Sequence, residues 1–439
     1  MRPSRNGGYG WPGPAGVDSR QSLLRELGEH AVLETIFRKG PITRPEIAAA
    51  TNLSKPTVSA AVSRLAQEGL VRAAGRRAGQ RGRKPVAYVV SSQAGFVVGG
   101  DIGGSNVRVA AADLFGEPIF DLKRPTTKEG SRAVGVQILE MVSEVIDKAS
   151  AVHGRPLTLG ISAPGIVDQA SGRVTSLAYN VAPEGGFDPL EVIRDRFDLP
   201  VLVENNVNLA AVGEKWFGLA MGASTMVFIA IGAGIGMGII IDDELVRGAH
   251  GAAGEIGYLP LVGDPFNPRH RLHGGLEDEI GAAGILAAFN ERLGPEDPEL
   301  SSVHEVFELA AAGNMAARSV VDHVASRLGT AIATVCAMLD PELVVLGGGI
   351  GASPLLLRPA RGSAAALVPI TARIETSLLG ERAALQGAIA VALRAARTLL
   401  LSRGAAPPKP REKVGLAQTD PTARSRVAAI PITTVIERH

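Results

Sequence analysis

Apolar residues recur every three or four positions from Ser19 to about Lys39, at Leu23, Leu27, Val32, Leu33 and Ile36, which is the period of an amphipathic helix. A shorter helix is predicted over residues 43–50, with Thr43 as its cap and Glu46 completing a capping box. The tight turn Thr51-Asn52-Leu53 leads into a third helix. Ser54 caps it, Pro56 sits in its first turn where a missing N–H costs little, and Val58, Val62 and Leu65 form its buried stripe. Past Gly69 the period shortens, and residues 70–72 and 86–90 read as strands. Between them, residues 75–85 hold five Arg/Lys and three Gly. Two helices joined by a tight turn and followed by a basic hairpin form a winged helix-turn-helix pattern of the α+β class.

From Gly95 onward buried strands, glycine turns and helices alternate, as in an α/β domain with a mixed sheet. Strands are expected at 96–98, 107–111 and 342–346, and helices at about 315–339 and 382–400. The apolar run 224–241 contains four glycines and falls short of the roughly 20 residues of a membrane span, so it reads as buried strands around a turn. The ends, residues 1–18 and 405–439, lack periodic apolar positions and are expected to be disordered. This leaves a DNA-binding unit at 19–92 and a second domain at 93–404.

The 439 residues carry a net charge of only +1, but its distribution is uneven. Residues 1–92 hold 15 Lys/Arg against 6 Asp/Glu, whereas 93–404 hold 24 against 35. An anionic partner is therefore expected for the N-terminal part alone. Cys336 is the single cysteine, which excludes an internal disulfide framework and a Cys-rich zinc site and fits a reducing, cytoplasmic setting. The Gly/Pro-rich opening has no continuous apolar core of the signal-peptide kind, and no membrane partner is expected.

In helix-turn-helix proteins the second helix enters the major groove and its N-terminal residues meet base edges. Here those are Ser54, Lys55, Thr57 and Ser59. Arg64 and the wing residues Arg76, Arg77, Arg81, Arg83 and Lys84 supply charge for phosphates, which position a protein on DNA without reading sequence. The expected partner is a double-stranded operator bound by a homodimer or higher homo-oligomer, since such proteins meet paired half-sites.

Three glycine turns follow strands in the second domain. They are Asp101-Ile102-Gly103-Gly104, Gly232-Ala233-Gly234-Ile235-Gly236, and Gly347-Gly348-Gly349. Such turns let backbone N–H groups approach a phosphate, and an actin-like phosphotransferase needs several of them around its nucleotide. With these turns, the stretches Ser162-Ala163-Pro164-Gly165, Glu204-Asn205-Asn206-Val207-Asn208 and 248–257 (GAHGAAGEIG) resemble the ROK family of repressors, open reading frames and kinases, in family order across about residues 19–400. The N-terminal unit is similar to that of its repressor branch. The resemblance implies an actin-like (ribonuclease H-like) sugar-kinase fold in two lobes. It also implies that Asn180, Asn205, Asn206, Glu255, Tyr258 and Glu277 face a sugar or sugar derivative, and that Asp101, Gly103, Gly104, Gly232, Gly234, Gly236 and Gly348 are remnants of phosphate loops.

Two departures matter. Family kinases carry an Asp after the Glu-Asn pair, and it takes the proton from the attacking sugar hydroxyl. Here the position is Asn206, and a neutral amide accepts no proton. Glu204 lies two residues earlier, too far along the strand to substitute. The family's zinc ligands are a His and three cysteines. Their positions are held by Tyr258, Pro268, His270 and Gly275, with His273 as an extra, so no family-type metal is expected. The expected protein is a transcriptional regulator, acting as a repressor of carbohydrate metabolism, with a catalytically inactive sensing domain and no cofactor. The alternative readings are an active ATP-dependent sugar kinase with an accessory DNA-binding domain, and a regulator answering to another protein or a phosphorylated metabolite.

Overall fold

The computed structural model describes residues 17–76, 85–168, 174–176, 191–264, 266–294, 299–369 and 372–401. Helices α1 (Val17–Lys39), α2 (Arg44–Thr51) and α3 (Lys55–Gln67) pack with the strands β1 (Ile42–Thr43), β2 (Val71–Arg76) and β3 (Val86–Val90). Val32, Leu33 and Ile36 of α1, Ile47 of α2, and Val58, Val62 and Leu65 of α3 share one core, as their spacing predicts. Leu27 does not join it; it is 57% exposed, although it falls in the same period. Helix α1 starts at Val17, two residues inside the segment expected to be disordered. Glu46 accepts hydrogen bonds from the Thr43 amide and hydroxyl, both at 2.8 Å, and the Ser54 hydroxyl accepts from the Thr57 amide at 3.3 Å, so both predicted caps form. Strand β2 pairs antiparallel with β3, Val71 opposite Val90 and Arg76 opposite Val86, which is the base of a wing. The short β1, not anticipated, closes the other edge of this sheet.

The remainder is built from two sheets of one topology. The first contains β4 (Phe96–Ile102), β5 (Asn106–Ala112), β6 (Pro118–Pro125), β7 (Pro156–Ala163) and β10 (Val201–Asn205) in the order β6-β5-β4-β7-β10. The second contains β11 (Met226–Ile231), β12 (Ile235–Ile241), β13 (Glu244–Leu245), β14 (Leu343–Gly347) and β15 (Arg373–Thr376) in the order β13-β12-β11-β14-β15. In each, an antiparallel meander is extended by two parallel strands, the duplicated ribonuclease H-like arrangement of actin-like kinases.

Helix α4 (Ser131–His153) and the short α5 (Glu191–Arg196) cover the outer face of the first sheet, and the hairpin of β8 (Ile166–Val167) and β9 (Val174–Ser176) extends from β7. Between the sheets run α6 (Asn206–Phe217) and α14 (Ala383–Leu401). The outer side of the second sheet carries α7 (His270–His273), α8 (Gly275–Ile280), α9 (Ala282–Asn290), α10 (Val303–Ala311), α11 (Met315–Leu339) and α13 (Pro354–Leu367), with the single turn α12 (Gly348–Gly351) after β14.

Helix α14 has the length and mean hydropathy of a membrane span, yet most of its apolar residues are buried inside the protein. Leu385, Ile389 and Leu393 meet Val97 and Ala110 of the first sheet, while Ala383 and Ala390 meet α6. Glycine makes the approach possible. A Cβ on Gly387 would collide with the Leu209 carbonyl of α6, and one on Gly213 with the Ala383 carbonyl of α14.

Candidate functional site

The parallel strands of the first sheet end together, with Asp101 opposite Ser162 and Asn205 opposite Ala163. Alternation along β4 sends Phe96, Val98 and Ile102 towards α4 and leaves Asp101 facing inward at the strand end. There the buried Asp101 carboxylate accepts a 2.6 Å hydrogen bond from the Ser162 hydroxyl at the end of β7. Burial pushes its pKa up to about 6, against the opposing pull of the Ser162 hydrogen bond and the Arg108 charge. Gly103 follows in a hairpin too tight for a side chain, since a Cβ would press on the Asn106 carbonyl.

On the neighbouring strand, β10 runs directly into α6 at Asn205-Asn206. Asn205 caps the helix. Its Oδ1 accepts from the amides of Val207 (2.8 Å) and Asn208 (3.1 Å), and its Nδ2 donates to the Gly165 carbonyl at 3.0 Å. One face of this amide is therefore bound to the Ser162–Gly165 turn. Asn206 is half-buried at the first position of α6, with its Oδ1 3.0 Å from the Val207 amide. Glu204 is buried at the end of β10 and fully engaged. It takes hydrogen bonds from the Asn205 amide (2.9 Å) and Asn208 Nδ2 (3.0 Å), and an ion pair at 2.5 Å from Arg247 Nε. Arg247 comes from the second lobe, one residue before the glycine-rich 248–257 stretch. Sequence reasoning missed it, because one arginine beside a glycine turn carries no signal of its own.

The second lobe contributes its own group of polar side chains. Glu255 precedes the 3-10 turn Ile256–Tyr258, and Glu277 lies in α8. The two carboxylates are close enough that burial first, and then the charge of Glu277, raises the pKa of Glu255. Burial also raises Glu277, a hydrogen bond from the Ile235 amide (3.1 Å) opposing it in part, and burial followed by both carboxylates raises Tyr258. The structure thus brings Glu255, Tyr258 and Glu277 into one cluster. It also ties Gly234 to that cluster, because a Cβ there would overlap the Glu277 carboxylate. Gly236 packs on Val207 and Gly348 on the Ile231 carbonyl, its φ of +80° being glycine's own region, whereas Gly232 faces open space. Of the glycines in this second turn, then, Gly234 belongs to the Glu255–Glu277 cluster. Asn180 lies outside the described residues.

The residues at the family's zinc position do not fit a zinc ion. Pro268 and Gly275 have no donor atoms, which leaves one imidazole from His270 beside Tyr258, and among the described residues no three His, Cys, Asp or Glu side chains converge.

In the N-terminal unit Ser54, Lys55 and Thr57 are exposed at the start of α3 and Ser59 is half-buried. The Thr57 hydroxyl shares a 2.8 Å hydrogen bond with that of Ser54, so it serves the cap. Arg64 turns towards α1, where its Nη1 lies 2.9 Å from the Glu29 carboxylate. Arg76 ends β2, and Arg77, Arg81, Arg83 and Lys84 lie outside the described residues.

These two sites meet in one set of known proteins. The ROK family profile matches residues 97–395, and a winged helix-turn-helix DNA-binding profile matches residues 29–72. The chain belongs to the ROK family. The xylose repressor of Caldicellulosiruptor bescii is 30% identical over 340 residues, 74% of this chain and 84% of that protein. The glucokinase of Halalkalibacterium halodurans is 32% identical over 284 residues, 60% of this chain and 83% of its own. Among solved structures, a ROK family transcriptional regulator homologous to Escherichia coli MLC aligns with a TM-score of 0.70 at 24% identity, covering 86% of this chain and 98% of its own. The ROK glucokinase of Streptomyces griseus, solved with glucose and AMPPNP, aligns with a TM-score of 0.57 at 26% identity and covers 68% of this chain and all of its own. ROK membership thus spans both the two-lobed kinase fold and the repressor form that carries an N-terminal winged helix.

Proposed function

We propose that this ROK protein is a DNA-binding transcriptional regulator whose two-lobed domain senses a sugar or sugar derivative and does not transfer phosphate. The observation that carries the reading is the β10–α6 junction. Phosphoryl transfer to a sugar needs a carboxylate that takes the hydroxyl proton as the γ-phosphate is attacked. The position after the Glu-Asn pair holds Asn206, an amide, and the adjacent carboxylate of Glu204 is committed to Arg247, Asn208 and the Asn205 amide. Neither is a free base.

The recognition half of the site remains. Glu255, Glu277 and Tyr258 from the second lobe, with Asn206 and the one remaining Nδ2 N–H of Asn205 from the first, give carboxylate, phenol and amide groups suited to paired hydroxyls. The N-terminal unit, with its excess of basic residues, supplies the output. The names of the xylose repressors among the relatives support this reading. A homodimer on paired half-sites in the cytoplasm, with domain limits near residues 19–92 and 93–404, belongs to the same proposal.

The test is ADP formation by the purified protein with ATP, Mg²⁺ and a panel of aldoses, amino sugars and their N-acetyl forms. No sugar-dependent turnover is expected. Turnover that vanishes in Asp101→Ala would establish a kinase carrying an accessory DNA-binding unit.

A further inference from the structure

Arg44 is held by an aromatic ring and two hydroxyls and, among the described residues, by no countercharge. It is the first residue of α2. Its guanidinium carbon lies 5.1 Å from the centre of the Tyr88 ring on β3, and Nη1 and Nη2 reach across to the hydroxyls of Ser59 (3.3 Å) and Ser63 (3.2 Å) on α3. Its Nε is closed off from solvent without a hydrogen-bond partner. Among the described residues no carboxylate ion-pairs with it, in contrast to Arg64, which faces Glu29. Serine hydroxyls neutralise nothing, so Arg44 keeps its full charge while the aromatic ring and two hydroxyls hold it in one place.

Its position gives that charge a use. Val58, Ala61, Val62 and Leu65 define the buried side of α3. At 100° per residue the opposite side is Pro56, Ala60, Ser63 and Gln67, all exposed, with Ser59 at its margin. That stripe is the part of the second helix able to enter a groove. The first helix of the motif crosses the sugar-phosphate backbone, and Arg44 sits on that helix, at the rim of the stripe.

We infer that Arg44, held by Tyr88, Ser59 and Ser63, is a clamp for a DNA backbone phosphate that sets the register of α3 in the groove. The inference rests on the DNA-binding reading above. A planar guanidinium meets phosphate oxygens with two parallel N–H groups, and the serine hydroxyls can donate to the same oxygens. Such a contact adds affinity without sequence preference.

The experiment compares the unaltered full-length protein with Arg44→Gln and Arg44→Lys. Each binds a duplex from the region upstream of its own gene and a scrambled duplex of equal length, across a series of salt concentrations, with thermal melting recorded without DNA. For Arg44→Gln the slope of log affinity against log salt is expected to shrink by about one. At a fixed salt of about 0.15 M its affinity should fall roughly five- to tenfold, by the same factor on both duplexes. Arg44→Lys, which keeps the charge, should restore the slope. An Arg44→Gln slope equal to that of the unaltered protein would overturn the assignment, as would a loss confined to one duplex, which marks a base contact. If Arg44→Gln melts early, Arg44→Lys decides: a lost slope in a folded Lys variant counts against a phosphate contact. Absence of binding to either duplex by the unaltered protein would overturn the regulator reading itself, and the clamp with it.

Discussion

At the level of single residues, the site is defined by which carboxylates are free. Glu204 is the most buried of those near the β10–α6 turn and the least available, since its oxygens are shared among Arg247, Asn208 and a backbone amide. Among the described residues Glu255 and Glu277 are not tied up in ion pairs, and partial desolvation, aided by the charge of Glu277 at Glu255 and of Asp278 at Glu277, makes them easier to protonate than a fully solvated carboxylate. Each is expected to contribute about 1.5–3 kcal/mol through charged hydrogen bonds to sugar hydroxyls. Glu255→Gln should therefore weaken the sugar's protection of the fold against heat by roughly ten- to a hundredfold in apparent affinity, with operator binding retained; a titration of melting temperature against sugar measures it.

Asp101 gives a pH signature. Its folded pKa is near 6, above the ordinary aspartate value of 3.8. A group raised on folding stabilises the fold fully below its unfolded pKa, and that contribution is lost as pH rises through the folded one. Ionising Asp101 above pH 6 should cost on the order of 3 kcal/mol, because a tenfold change in a protonation equilibrium is worth about 1.4 kcal/mol. Asp101→Asn should accordingly gain stability relative to the unaltered protein between about pH 4 and pH 6 and hold the gain above it, as read from denaturant midpoints at each pH. A difference that does not change with pH would contradict the burial of this carboxylate.

Among the elements, α6 and α14 decide the geometry. Their backbones touch through Gly213 and Gly387, so the cap at Asn205 and the body of α14 form one rigid unit. Gly387→Ala would force a methyl into the Leu209 carbonyl and is expected to destabilise by about 1–3 kcal/mol, a drop of several degrees in melting temperature. Gly362→Ala, on the open face of α13, should not destabilise and serves as the comparison.

The legibility of these elements follows from their physics. Helix α3 can be read to its cap, because Ser54, Pro56 and the stripe Val58, Val62, Leu65 are local signals. Helix α11 and strand β3 match their expected limits, the first by long periodicity and the second by its β-branched run. Leu27 misleads because the period shows which side of a helix is apolar but not where the partner surface ends. The Glu204–Arg247 pair and the Tyr88–Arg44 stack join residues 43 and 44 positions apart across different elements, and no spacing rule reports such contacts. Gly234 reads as part of a phosphate turn because its motif is a glycine turn; only the fold shows the Glu277 carboxylate above it.

Across the whole molecule, the winged unit is joined to the first lobe by packing. Phe37 of α1 lies 5.9 Å from Phe115, in ring-centre terms, and Arg397 of α14 stacks 5.5 Å from Phe37 while donating to the Leu114 carbonyl at 3.0 Å. The cores of α1–α3 and of the β4–β5 face are continuous through α14. A ligand that draws the second lobe's Glu255–Glu277 cluster towards Asn205 and Asn206 would therefore move the winged unit with the first lobe, and in a dimer would change the spacing of the two recognition helices. Allostery requires that the ligand favour one of these states. Phe37→Ala should leave sugar affinity and DNA affinity measurable but shrink the ratio of operator affinities with and without sugar towards one. An unchanged ratio would show that the coupling runs by another route.

If sugar binding in the two-lobed domain controls DNA binding, operator affinity must change with sugar. The purified full-length protein is titrated onto the DNA upstream of its own gene at fixed salt, against a scrambled duplex, with and without each sugar of a panel. Preference for the upstream duplex is predicted, together with a change in that affinity with at least one sugar. Equal affinity for both duplexes, or specific binding that no sugar or sugar derivative alters, would contradict such control.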